Sequence, residues 1–205
     1  MSTSSPNYGD IVVGSRGWLH STWSQSYYPD DIPDEWRMGF YGNEFNTLLV
    51  KWEEWGKRLD SEWLEQLEDL DEDFHLYLEL PGEVQALPQG LTEVGAQLVG
   101  LVCVDGDADA WQAKLGDMGL PYLARVSKPD LPFQCYAKQG GDDICLALFD
   151  TTEHKIEDLL GMREIIEQAL PLVESNEQLD FILVDKEPAI ESMRNTATIA
   201  ELLGA

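Results

Sequence analysis

At 205 residues the chain can bury a conventional core without metals or disulfides, and its 43% hydrophobic and 25% charged residues exclude wholesale disorder and fibrous repeats. With 13 Lys and Arg against 39 Asp and Glu, the net charge of −26 would repel phosphate backbones and anionic membranes, so neither nucleic acid nor a membrane is an expected partner. No run approaches the roughly 20 consecutive apolar residues of a membrane span. The first residues, Met1-Ser2-Thr3-Ser4-Ser5, lack a basic-then-apolar export signal, so the expected compartment is the cytoplasm. The acidity suits a high-salt or alkaline cytoplasm and an ordinary acidic surface equally well. Cys103, Cys135 and Cys145 lie in apolar runs without Cys-x-x-Cys spacing and read as buried reduced thiols. His20, His75 and His154 form no local ligand pair.

Residues 1–8, rich in Ser and Thr, read as a flexible tail, and 9–205 as a single domain, since no linker, composition shift or repeat divides them. Strand patterns start with Ile11-Val12-Val13 and Asn46 to Trp52. The clearest is Phe74 to Leu80, where Phe74, Leu76, Leu78 and Leu80 alternate with His75, Tyr77 and Glu79. Further runs follow at Gln97 to Val104, Pro121 to Val126, Phe133 to Ala137, Ile144 to Phe149 and Leu179 to Val184. Helical spacing appears in Trp63, Leu64, Leu67 and Leu70 behind an Asp60 cap, and in Ala108, Trp111, Leu115 and Met118 before Gly119. A longer helix is marked by Ile156, Leu159, Leu160, Ile166, Ala169 and Leu170, and a last one runs from Glu187-Pro188 towards Gly204. Such alternation implies parallel strands with right-handed crossovers. Because an eight-unit barrel usually takes about 250 residues, the expected fold is a reduced or distorted TIM-like (β/α) barrel of seven to eight mostly parallel strands.

Gly14-Ser15-Arg16-Gly17-Trp18, then Trp23, Tyr28-Pro29, Pro33, Trp36, Tyr41 and Phe45-Asn46-Thr47, resemble the opening of the YecE-like family, domain of unknown function 72. Phe181-Ile182-Leu183-Val184 followed by Arg194-Asn195-Thr196-Ala197 resembles the family's last strand and helix. The likeness covers roughly 10–81 and 178–204. It implies a TIM-like barrel and a family whose biochemical role is unsettled. Two departures stand out. Leu49 occupies the place of a carboxylate that the family carries after Phe-Asn-Thr, and Glu79 replaces a Lys before Leu80-Pro81. The chain therefore reads as a divergent, shortened relative whose family site is degenerate.

Alternation places Thr47, Leu49 and Lys51 on one face, and His75, Tyr77 and Glu79 on another. If both faces turn inward, Lys51 and Glu79 meet as an ion pair at the barrel mouth or reach solvent separately. Asp105, Asp150 and Asp185 each end an apolar run, where barrel enzymes collect their working groups. With Glu79 they could hold a divalent cation such as magnesium, or they could cap helices. No metal site or other cofactor is expected outright. Asp105-Gly106-Asp107-Ala108-Asp109 begins like a calcium loop, but Ala110 and Gly116 stand where Gly and Glu are needed. Gly14 to Gly17 could cradle a small anion beside Arg16 and His20, or simply turn the chain. The aromatic cluster of Trp18, Trp23, Trp36, Tyr27 and Tyr28 could line a pocket or pack a long loop. The acidic run Glu62, Glu65, Glu68, Asp69, Asp71, Glu72 and Asp73 reads as a solvated face.

Two functions fit. One is a small-ligand-binding or accessory protein whose partner is a small molecule or another protein, with Arg16, Trp18, His20, Trp23 and Tyr77 as ligand-binding candidates. The other is a hydrolase or lyase using some of Glu79, Lys51, Asp105, Asp150, Asp185 and His20 at the carboxyl-terminal mouth. Oligomeric state is not encoded in any feature of the sequence.

Overall fold

Hydrogen bonds between successive strands run round a full circle, so the sheet has no edge and closes as a barrel in the order of the chain. The computed structural model describes residues 9–57, 59, 61–68, 70–95, 97–154, 158–173 and 177–205. The expected tail at 1–8, the Asp60 cap, Asp69 and Ile156 lie outside the described residues. The first half comprises β1 (Asp10–Arg16), α1 (Trp23–Ser26), α2 (Arg37–Gly42), β2 (Thr47–Val50), α3 (Trp52–Trp55), α4 (Ser61–Glu68), β3 (His75–Glu79) and β4 (Leu98–Val102). The second comprises α5 (Ala108–Met118), β5 (Tyr122–Val126), β6 (Gln134–Lys138), β7 (Ile144–Asp150), α6 (Leu159–Ala169), β8 (Gln178–Val184) and α7 (Ile190–Leu203). Among the described residues no helix is long and apolar enough to cross a membrane.

From β7 through β8, β1, β2, β3 and β4 to β5, every neighbouring pair is parallel. β6 alone is reversed, pairing antiparallel with β5 and β7. The connections explain it. A parallel crossover needs about a dozen residues or more, and 127–133 and 139–143 are shorter than that. Gly140, at φ 82°, makes the second turn. Between β3 and β4 the crossover helix shrinks to a 3-10 turn at Gln89–Glu93. The barrel is thus shortened by losing helices while all eight strands remain.

Two apolar layers hold it. Leu49, Tyr77, Val102, Leu123, Tyr136 and Ile182 fill the barrel interior, all buried. The larger layer lies between the barrel wall and the helices and includes Trp23, Trp55, Trp111, Leu115, Phe181 and Met193. Truncating any of these tryptophans would cost about 3–5 kcal/mol. Helix ends follow local chemistry. Asp107 caps α5 by accepting from Ala110 N at 3.0 Å, and Gly119 ends that helix in the left-handed region. Asp158 likewise caps α6 through Gly161 N at 2.8 Å. The calcium-like run is therefore a helix start.

Candidate functional site

At the carboxyl-terminal mouth, β1 ends in Arg16 and β3 ends in Glu79, both turned towards the barrel axis. Arg16 Nε donates to Glu79 Oε2 at 2.6 Å and its second nitrogen to Oε1 at 2.6 Å, a bidentate fork. The Glu79 hydrogen bond, opposed by burial, raises the Arg16 pKa above its ordinary value. The indole of Trp55 donates to the Glu79 carbonyl at 2.8 Å and fixes the strand end. The Lys51–Glu79 pair is not formed, because both Glu79 oxygens are occupied by the planar guanidinium that β1 presents to them. The Lys51 ammonium lies instead beside Gly17, near the Glu54 carboxylate. A Cβ at Gly17, which sits at φ +88°, would lie 3.0 Å from Lys51 Nζ and 3.1 Å from Glu54 Oε1. Burial pushes the Glu54 carboxyl up, although Lys51 pulls it down. The Gly14 to Gly17 segment is accordingly the end of β1 and the turn at Gly17, packed on β2 and α3 with its guanidinium already neutralised, and not an anion cradle.

The loops after β1 and β8 are clipped together. His20 is buried, with Nε2 3.0 Å from the Gly17 carbonyl and Nδ1 3.2 Å from the Lys186 carbonyl. Burial and then Lys51 hold its pKa below the ordinary value. Trp23 Nε1 donates to the Pro188 carbonyl at 2.7 Å, and Ser21 Oγ to Glu187. Trp23 stacks on Tyr41, Trp18 is buried in the outer layer and Trp36 is 65% exposed, so the aromatic cluster packs the long first loop.

The three strand-end aspartates do not gather into a cage. Asp150 accepts from Thr152 N at 2.8 Å and Glu153 N at 3.2 Å, closing its own turn. Asp185 accepts from Thr151 Oγ1 at 2.7 Å and Glu187 N at 3.2 Å, and Asp105 is exposed. Among the described residues no group of three or more His, Cys, Asp or Glu is placed to hold a metal ion. Asp185 does border a groove of about 620 Å³ between the ends of β7 and β8 and the helices α6 and α7. Leu159, Met162 and Leu183 supply its apolar surface, and Thr151, Ser192 and Asn195 its neutral polar groups. This helix face carries no catalytic or ligand motif, only a spacing. Ser192, Asn195 and Thr196 recur at helical spacing, the signal that could have shown it.

Tyr77 belongs to the opposite end. Its hydroxyl donates to Asp180, a carboxylate only 1% exposed on β8, inside the barrel. His75 Nδ1 lies 2.6 Å from the same Asp180 oxygen, and Gln178 Nε2 donates to the other at 2.9 Å. The Asp180 hydrogen bond, against the opposing effect of burial, raises the His75 pKa. In the sequence Asp180 lies within, and Gln178 just before, the apolar run Leu179 to Val184. Their alternation with Ile182 and Val184 marks them as inward-facing.

The chain is similar in three dimensions to the crystal structure of a DUF72 family protein from Thermotoga maritima, with a TM-score of 0.54 and 12% identity. The match covers 96% of this chain and 100% of that one. No protein-family model and no curated protein matches the sequence. The fold of this chain is thus the one seen in a DUF72 protein, the architecture that the loop and helix motifs implied.

Proposed function

We propose that the chain is a divergent YecE-like barrel of the cytoplasm that binds a small ligand in the groove bounded by β7, β8, α6 and α7. One observation carries this reading: a groove of about 620 Å³ at the carboxyl-terminal rim lies beside the barrel axis, over Asn195 and Asp185, while the axis itself is closed by apolar side chains below the Arg16–Glu79 fork. Asp158, Asp185 and Glu187 border the groove together with hydroxyl groups. Its chemistry favours a molecule that carries an ammonium group and hydroxyls, held by charge-assisted hydrogen bonds. Three free cysteines suit a reducing compartment.

The hydrolase or lyase alternative has less support. Glu79 is neutralised by Arg16, and Asp150 and Asp185 accept hydrogen bonds from their own turns, so none of these three carboxylates at the carboxyl-terminal rim stands beside a free base. The test is calorimetric titration of small amines and amino sugars into the protein and into Asn195→Leu. Saturable heat that the variant loses supports the groove. Equal heat in both, or none from any compound, overturns it.

A further inference from the structure

The amino-terminal mouth holds a polar constellation that the groove does not use. A carboxylate inside a barrel is costly unless every oxygen is satisfied. Asp180 is satisfied by Tyr77, His75 and Gln178, which tie β3 to β8 across the interior. This arrangement also orients His75. With Nδ1 committed to Asp180, the imidazole's Nε2 is the nitrogen left for a ligand, and the ring lines a cavity of about 380 Å³. A carboxylate beside Nδ1 favours the imidazolium, and in that form Nε2 carries an outward N–H that an oxyanion can accept.

Lys138 lines the same cavity. It arrives there because β6 runs backwards, so that the end of that strand, and not its beginning, reaches this rim. Its charge bears on both His75 and the neighbouring Cys145. Burial pushes the Cys145 thiol up to about 11, which leaves it a neutral wall of the cavity, not a nucleophile. Asp180 is answered by His75, and the other two carboxylates of the lining, Asp143 and Glu177, are exposed.

We propose that this mouth is a second ligand site, in which His75 and Lys138 together receive a small oxyanion, a carboxylate or a phosphate. The site is independent of the groove: it lies at the opposite end of the barrel and shares no residue with it. His75 is the hydrogen-bonding group, Lys138 the adjacent charge, and Asp180 the positioning residue that acts through His75.

The experiment follows the His75 ring signals by NMR while sodium acetate, sodium phosphate or sodium chloride is added to the full chain at matched ionic strength. Acetate or phosphate should move them saturably, beyond the effect of chloride, and whichever anion does so identifies the group recognised. Lys138→Met, an exposed change that leaves the interior intact, should weaken that binding by at least about fivefold. In calorimetry His75→Gln should remove it. The proposal is overturned if His75 responds to both oxyanions no more than to chloride, or if Lys138→Met titrates like the unaltered protein.

Discussion

The two mouths of the barrel use the same device with different chemistry. At each, one carboxylate bridges strands that are not neighbours: Glu79 joins β3 to β1, and Asp180 joins β8 to β3. Glu79 is gripped by a guanidinium that stays charged throughout the ordinary pH range and whose side chain is 28% exposed. Asp180 is buried and gripped by a titratable imidazole, a phenol and an amide. The upper brace is therefore permanent and partly screened, whereas the lower one is deeper and responds to protons. A bridging carboxylate does not by itself say whether a barrel end is structural or responsive. Its partner decides.

The sharpest way to break this contrast is at the deeper carboxylate. Asp180→Ala leaves three buried or half-buried donors without their acceptor and should lower stability by about 3–4 kcal/mol in urea unfolding. Glu79→Gln strands a partly exposed guanidinium, and solvent screening should limit its loss to about 2 kcal/mol in the same measurement. If Glu79→Gln proves the more damaging, the depth argument fails.

Protons should separate the ends without mutation. The His75 pKa is raised on folding, so its contribution is fully present below the ordinary value of 6.5 and is lost as pH rises through the higher folded value. His20 behaves oppositely: its lowered pKa makes its contribution complete above 6.5 and diminished as pH falls below it. Melting temperatures between pH 6 and 8.5 should therefore show a gap between the unaltered protein and His75→Gln that narrows towards alkaline pH. A constant gap would detach the lower brace from proton binding. The smallest effect belongs to the surface: Arg194→Ala removes the exposed pair with Glu44, at 2.5 Å, and should cost under about 1 kcal/mol.

The wall of the barrel was legible in the sequence because each strand carries its own period or apolar run, and α5 carries its own cap and stop. Whether Lys51 and Glu79 pair or go separate ways stays open in the sequence, because strand alternation reports the face on which a residue lies but not which neighbour across the barrel reaches it first. Arg16 sits between two glycines in the sequence, the setting of an anion loop, and only the packing of β1 and β3 shows that the last residue of β1 faces Glu79. Asp180 was hidden for a different reason. The acid within Leu179 to Val184 shares a face with Ile182 and Val184, but the strand's own pattern does not name its three donors, which two strands contribute. The groove shares this difficulty, since its polar groups come from separate loops and from one face of α7.

Reversing β6 also changes where the molecule can accept new sequence. The turn 139–143 is the connection that a hairpin leaves at the lower rim, and Gly141, Asp142 and Asp143 are exposed there. Extra residues grafted at that tip would hang over the His75 cavity while the clipped loops at the far end kept their registration. A barrel with one strand turned round thus possesses an independently variable lip on the side where an all-parallel barrel leads its helices back into its strands.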